Sequence, residues 1–156
     1  MNATMPARSV NRVLWPTDFS DSDHDSLAIA GFLAGSWRAD LIALHVIPDV
    51  AEEVYGEKET EGKDRTAWAL WKLSKDKAET RLRDIITATL PGFSRFRTLV
   101  AFGDPATRIV NMVREERVGM VVMSARRDRT LLQEMLLGSV AYKVVRTVPS
   151  NVMLVK

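Results

Sequence analysis

Short apolar segments alternate with longer amphipathic segments along this chain, and the alternation predicts the fold. Buried strands are predicted at 10–15, 41–47, 96–102, 118–123 and 152–155. Helices, with apolar residues three or four positions apart, are predicted at about 20–37 and 66–90, from 105 onward, and at 139–148. This βαβαβαβαβ order is typical of a single α/β domain with a doubly wound, five-stranded parallel sheet and helices on both faces.

The strand order follows from the same pattern. Leu41–Ile47 is almost entirely apolar, as expected of a central parallel strand, whereas Arg97 and Thr98 place the third strand at an edge. Right-handed crossovers leave few arrangements. We expect the Rossmann-like or flavodoxin-like order 3-2-1-4-5, which brings the carboxyl ends of strands 1, 2 and 4 to the point where the winding reverses.

Local signals mark the helix starts and the buried helix faces. Pro16 is expected to end the first strand, and Ser20 with Asp23 resembles a capping box. Gly103-Asp104-Pro105 predicts a helix in which Asp104 caps and Pro105 takes the first position. The predicted buried faces are Leu27, Ala30, Gly31 and Ala34; Trp71, Ala78, Leu82 and Ile85; Ala106, Ile109, Val110 and Val113; Ala141, Val144, Val145 and Val148.

Composition narrows the function classes. The chain has 156 residues, a net charge of +2 and no cysteine, which excludes a disulfide framework, a thiolate metal site and a thiol nucleophile. The small net charge argues against nucleic acid as a partner. No apolar run approaches the roughly 20 residues of a membrane helix, so we expect a cytoplasmic protein with no membrane partner.

One domain is expected over residues 10–156, behind a disordered lead-in at 1–9. Residues 52–65 hold six acids and three bases together with Gly56 and Gly62. A segment this polar cannot bury a strand or an amphipathic helix, so about 49–65 is predicted to be a mobile charged insertion.

Several motifs, in this order along the chain, resemble the universal stress protein family. They are Pro16-Thr17-Asp18-Phe19-Ser20 after the first strand, Leu44-His45-Val46 near the end of the second, Gly103-Asp104-Pro105, Leu136-Leu137-Gly138-Ser139-Val140, and the last segment from Pro149 to Val155. The resemblance covers about residues 10–155. It implies the same α/β fold, a homodimer through the last strand, and in some members an adenine nucleotide at the strand ends.

Nucleotide-binding members carry Gly, two residues, Gly, nine residues and then Gly-Ser or Gly-Thr, and this chain keeps only the last pair. Gly138-Ser139 opens a predicted helix, whose N-terminus favours an anion. Counting back gives Ala125 and Asp128 in place of the glycines, or Ser124 and Arg127 with a shift of one residue. Arg126, Arg127 and Arg129 could replace the lost backbone contacts by binding phosphate directly.

The resemblance implies a nucleotide site that includes Asp18 at the adenine end and the backbone of Val46. The full predicted set is Pro16, Thr17, Asp18, Val46, Ser124, Ala125, Arg127, Gly138, Ser139 and Val140. Asp18 is equally compatible with a turn role before Ser20. No catalytic or metal residue is predicted, because neither His24 nor His45 shows the spacing of a hydrolytic triad or a metal site.

Three functions remain open from the sequence. The first is a stress-response module that binds ATP, with Mg²⁺, or a related nucleotide. The second is a dimeric module that binds no nucleotide and acts through protein partners. The third is a weak ATPase with Asp18 near the phosphates. Asn151–Val155 is a short apolar edge strand followed only by Lys156, which favours a homodimer in both of the first two cases.

Overall fold

A computed structural model describes residues 10–48, 65–125 and 138–156. The predicted lead-in, nearly all of the predicted insertion and the arginine-containing loop at 126–137 lie outside the described residues. The elements are β1 (Arg12–Thr17), α1 (Asp23–Trp37), β2 (Asp40–Ile47), α2 (Arg65–Thr89), β3 (Phe96–Phe102), α3 (Pro105–Glu115), β4 (Met120–Ser124), α4 (Ser139–Thr147) and β5 (Asn151–Val155).

All strand pairs of the five-stranded sheet are parallel, in the order β3-β2-β1-β4-β5. The predicted fold class and strand order are therefore confirmed. β1 lies in the middle between β2 and β4, and both β1 and β2 are buried along most of their length. β3 lies at one edge, as Arg97 and Thr98 predicted, and β5 lies at the other.

The core is divided into two layers by the sheet, because successive side chains of a strand point to opposite faces. On one face, Leu14 and Val121 pack with residues of α3 and α4 such as Ile109 and Val144. On the other face, Trp15 packs with α1 and α2, whose contributions include Leu27, Ala30, Ala34, Leu82 and Ile86. Helices therefore cover both faces, as expected of a doubly wound sheet.

Two predicted helix faces need correction. In α2, Ala78 and Leu82 are buried as predicted, but the third buried position is Ile86, and Ile85 is only half-buried. Trp71 is 43% exposed because the buried face of the described part of α2 is confined to its C-terminal half. In α4, Ala141 and Val144 are buried, whereas Val145 is exposed and Val148 is half-buried.

β1 starts and ends later than predicted, at Arg12 and Thr17 rather than at 10 and 15. Pro16 does not break the strand, because its pairing with Leu44 and that of Thr17 with His45 continue the ladder to β2. On the other side, the ladder to β4 is confined to Val13 and Leu14. β1 and β4 therefore separate towards their carboxyl ends, where Pro16 has no backbone N–H to donate.

The start of α3 is confirmed as predicted. Asp104 is its N-cap, and its carboxylate accepts from the backbone N–H of Thr107 at 2.9 Å, while Pro105 occupies the first helical position. Gly103 has φ +119°, a backbone conformation that side chains with a Cβ rarely adopt. No helix among the described residues is both long and apolar enough to span a bilayer.

Candidate functional site

A cleft of about 480 Å³ lies at the carboxyl ends of β1, β2 and β4. This is where the winding of the sheet reverses, since β2 continues to β3 on one side and β4 to β5 on the other. The wall is apolar where it meets the core, at Leu44, Ile109 and Met123. Its polar groups come from the β1–α1 turn, from β2, from the end of β4 and from the start of α4. The volume is within the range of small-molecule sites.

The β1–α1 turn is held by the side chain of Asp23 rather than by the predicted capping box. Asp23 Oδ2 accepts from Thr17 Oγ1 at 2.5 Å and from the backbone N–H of Asp18 at 3.0 Å. The N-cap is Ser22, which makes no side-chain capping bond, so the prediction that Ser20 caps this helix was wrong. The physical reason is that the chain turns at Phe19, with φ +64°, and returns the Asp23 side chain to β1.

The end of β4 is tied to the same carboxylate. Ser124 Oγ lies 2.6 Å from Asp23 Oδ1, 2.9 Å from the carbonyl oxygen of Ser22 and 3.1 Å from Ser26 Oγ. Ser26 Oγ in turn accepts from Trp15 Nε1 at 2.9 Å. We call Thr17, Asp23, Ser26 and Ser124 the floor cluster. Three of its members are buried, so its hydrogen bonds replace the water that these groups would otherwise need.

Asp23 is 7% exposed, and this burial raises its pKa above the ordinary value of 3.8. The negative charge of Asp18 raises the pKa further, whereas the hydrogen bonds from Ser124, Thr17 and the backbone of Asp18 oppose the rise. A buried carboxylate on a cleft wall is a feature typical of functional sites.

The start of α4 forms another wall of the cleft. Gly138 is its N-cap, with φ −59° and ψ 156°, and Ser139 and Val140 form its first positions. The first backbone N–H groups of a helix have no partner within the helix, and the helix dipole adds a partial positive charge there. Gly138, Ser139 and Val140 line the cleft, so these groups can meet an anion placed in it.

His45 lines the cleft from β2, and its ring is held in place. Its Nδ1 lies 2.9 Å from the carbonyl oxygen of Thr17, which can only accept, so Nδ1 carries the proton and Nε2 is the acceptor in neutral His45. The Phe19 ring packs against it with centroids 4.2 Å apart, and the Arg81 guanidinium lies 4.3 Å from the Phe19 ring centroid. His45 is therefore a packed residue, as its position at a strand end suggested.

Eight of the ten predicted nucleotide-site residues line this cleft: Pro16, Thr17, Asp18, Val46, Ser124, Gly138, Ser139 and Val140. Ala125 does not, because it is buried and its backbone N–H bonds to the carbonyl oxygen of Val155. Arg127 lies outside the described residues. Asp18 Oδ1 accepts from the backbone N–H of Ser20 at 2.9 Å. Asp18 therefore stabilises the turn, which is one of the two roles that the sequence suggested for it.

Asp23, which lines the cleft, and Ser26, whose hydroxyl donates to the Asp23 carbonyl oxygen, were not among the site residues predicted from the sequence. Asp23 lies between Ser22 and His24 in a polar stretch where periodicity does not distinguish an inward from an outward side chain. Within the described ranges, no three acidic or histidine side chains come together in a way that could hold a metal ion.

Comparison with known proteins gives one consistent result. The sequence model of the universal stress protein family matches residues 9–156. A universal stress protein of Methanothermobacter thermautotrophicus is 41% identical over 61 residues, which are 39% of this chain and 40% of that protein. The match thus spans less than half of that relative.

Two solved structures share the fold. One is a universal stress protein in complex with cAMP, with a TM-score of 0.65 and 20% identity, covering 95% of this chain and 98% of that one. The other is the universal stress protein from Archaeoglobus fulgidus in complex with dAMP, with a TM-score of 0.62 and 17% identity, covering 96% of this chain and 100% of that one.

Proposed function

The chain belongs to the universal stress protein family, and from that premise we propose that its cleft binds an adenine nucleotide. The observation that carries the proposal is the convergence of eight predicted residues on one cleft of about 480 Å³ with a helix N-terminus in its wall. Relatives with the same fold were solved with cAMP and with dAMP, which supports a nucleotide as the ligand class.

The two ends of the cleft suit the two ends of a nucleotide. On the proposed assignment, the base lies near Asp18 and the backbone of Val46, and the phosphate lies at the first turn of α4. The described wall holds two carboxylates, Asp18 and Asp23, and no lysine or arginine. One phosphate therefore meets less repulsion than three do, and Mg²⁺ bound to ATP would offset part of that repulsion.

Isothermal titration of nucleotide-stripped protein with Mg-ATP, AMP and cAMP tests the proposal. Gly138→Asp is the informative variant, because it places a carboxylate at the N-cap of α4, and because φ −59° accepts any side chain without strain. Gly35→Asp is the matched control. Gly35 lies near the C-terminal end of helix α1, and a Cβ added there would have Phe93 as its nearest neighbour, at 4.0 Å.

We expect the wild type and Gly35→Asp to bind at least one nucleotide, and Gly138→Asp to lose that binding. Equal binding by all three would contradict a phosphate site at α4. No binding by the wild type at millimolar nucleotide would contradict the proposed function and favour a module that works through protein partners.

A homodimer through β5 is the second part of the proposal. β5 pairs with β4 on one side only and forms an edge of the sheet, and its central Met153 is 36% exposed. An apolar edge strand readily pairs with a second copy across a two-fold axis. Met153→Lys should shift the sedimentation profile from dimer to monomer, whereas Val145→Lys, on an exposed position of α4, should leave the dimer intact. A profile that Met153→Lys does not change would contradict pairing through β5.

A further inference from the structure

Asp23 occupies an unusual position among the residues of the cleft. It is a buried carboxylate on the first turn of α1, and it accepts hydrogen bonds from two different strands. Oδ2 accepts from Thr17 and Asp18 at the end of β1, and Oδ1 accepts from Ser124 at the end of β4. β1 and β4 make no ladder contacts near these residues, and the carboxylate bridges them at the cleft, beside a second link from Ser124 through Ser26 to Trp15.

We propose that Asp23 is a positioning residue for the nucleotide, which holds the ends of β1 and β4 together while its negative charge weakens binding of the phosphate. The inference rests on the nucleotide function proposed above. It assigns two separable effects to one side chain: a geometric effect on every ligand of the cleft, and an electrostatic effect on charged ligands alone.

The geometry allows the charge to change without loss of the bridge. When Asp23 is ionised, Ser124 Oγ–H donates to Oδ1 at 2.6 Å. When Asp23 is neutral, Oδ1 carries the proton and donates to Ser124 Oγ, whose own proton can turn to the carbonyl oxygen of Ser22 at 2.9 Å. Oδ2 keeps both of its donors in either state. Protonation therefore removes a negative charge from the cleft and leaves its shape unchanged.

Other ionisable groups near Asp23 must be separated from its effect. They are Asp18, whose backbone N–H bonds to Asp23; His45, which lines the same cleft from β2; Arg81 of α2, whose guanidinium lies over the Phe19 ring; and the sequence neighbours Asp21, His24 and Asp25. β4 contributes only the hydroxyl of Ser124. His45 also lines the cleft, so its contribution must be separated from that of Asp23. His45→Asn keeps a side-chain N–H for the Thr17 carbonyl oxygen and replaces the imidazole by a side chain that is neutral at every pH, so it is the necessary control.

The experiment is titration with cAMP and with adenosine between pH 5.5 and 8. The cyclic phosphodiester keeps one negative charge throughout this range, and adenosine is neutral, so changes with pH come from the protein. We expect the affinity of the wild type for cAMP to rise towards low pH by at most about fivefold, the size typical of one partly screened charge. Burial raises the pKa of Asp23, so this group gains its proton at a higher pH than an exposed aspartate does.

Three variants then separate the two effects. His45→Asn should keep a rise in affinity for cAMP towards low pH. Asp23→Asn should show a smaller rise than the wild type and should bind cAMP more tightly than the wild type does at pH 8. Adenosine should bind the wild type and Asp23→Asn equally. Asp23→Ala should weaken the binding of both cAMP and adenosine, because the bridge is lost. Asp23→Asn also lacks the charge but should keep adenosine binding, and loss of the charge alone would not give this difference between the two variants.

Equal pH dependence in the wild type and Asp23→Asn would overturn the electrostatic half of the inference, and unweakened adenosine binding by Asp23→Ala would overturn the geometric half. No binding of cAMP at any pH would contradict the inference as a whole. If Mg-ATP also gave no heat, the proposed nucleotide function would fail with it.

Discussion

Gly31 in α1 offers a sharp test of how the helices pack behind the site. A Cβ added at Gly31 would lie 2.4 Å from Leu90 Cδ1 and 2.5 Å from Leu90 Cδ2. These distances are at least about 1 Å shorter than ordinary carbon–carbon contact, which is about 3.5–4.0 Å. Gly35, one turn later on the same helix, has its nearest neighbour at 4.0 Å. Gly31→Ala and Gly35→Ala are therefore the same chemical change in opposite packing environments.

The magnitudes follow from two opposing effects. Replacing glycine by alanine within a helix stabilises by about 0.5–1 kcal/mol, since the unfolded chain loses freedom. Forcing an extra methyl group into a packed position costs about 1–3 kcal/mol, because the neighbour must leave its preferred rotamer. We therefore expect Gly35→Ala to raise the free energy of unfolding by about 0.5 kcal/mol and Gly31→Ala to lower it by about 1 kcal/mol.

Urea unfolding followed by far-UV circular dichroism measures both values, and an unchanged m-value shows that the comparison is valid. The double variant with Leu90→Ala isolates the contact. Gly31→Ala should be neutral or stabilising when Leu90 is already alanine. If Gly31→Ala stabilises the wild-type protein as much as Gly35→Ala does, the close approach of α1 to the residue after α2 is wrong.

Three further predictions concern the cap of α3, the core and the ionisation of Asp23. Asp104→Ala should cost about 1 kcal/mol of stability, because Thr107 loses its capping acceptor. The hydrogen bonds from Thr107 lower the pKa of Asp104 below 3.8, so this contribution is present above pH 3.8 and is lost as the pH falls through the lowered pKa; the stabilities of variant and wild type should approach each other in acid, and a difference that stays constant as the pH falls would count against the cap. Leu82→Ala should cost about 3 kcal/mol, as for a fully buried leucine, whereas Trp71→Ala, at a position 43% exposed whose ring stacks on Phe102, should cost less, about 1–2 kcal/mol; a larger loss for Trp71→Ala than for Leu82→Ala would show that the buried face of α2 is misassigned. Because the pKa of Asp23 is raised, the unfolded chain ionises first, so the stability contributed by this group is full below 3.8 and falls as the pH rises through the raised pKa. Asp23→Asn should lack this fall, and parallel pH–stability curves for variant and wild type would refute it.

Much of the fold could be predicted from the sequence because the signals were local and agreed with one another. The near-continuous apolar run of β2, the polar residues of β3 and the start of α3 at Gly103-Asp104-Pro105 each had one reasonable interpretation. Gly31 was predicted to lie on the buried face of α1, and it does. Its close neighbour is Leu90, however, more than 50 residues away in sequence, and no periodicity within α1 could indicate that contact.

The candidate site was predictable only where its residues belong to a motif. Pro16, Thr17 and Gly138 follow from the family resemblance and line the cleft. Asp23 did not follow, because its spacing from Ser20 suggested a helix cap, whereas the turn at Phe19 directs the carboxylate to Thr17 and Ser124 instead. A bond between residues 101 positions apart depends on the strand order and cannot be seen from local spacing.

The measurement that tests the central claim most directly is amide mapping of nucleotide binding by two-dimensional ¹H–¹⁵N NMR. Addition of AMP should shift the backbone N–H signals of Val46, Ser139 and Val140, together with those of Thr17 and Asp18. The signals of α2 near Leu82 should stay in place. Shifts confined to another surface, or no shifts at millimolar AMP, cAMP and Mg-ATP, would contradict a nucleotide site at the carboxyl ends of β1, β2 and β4.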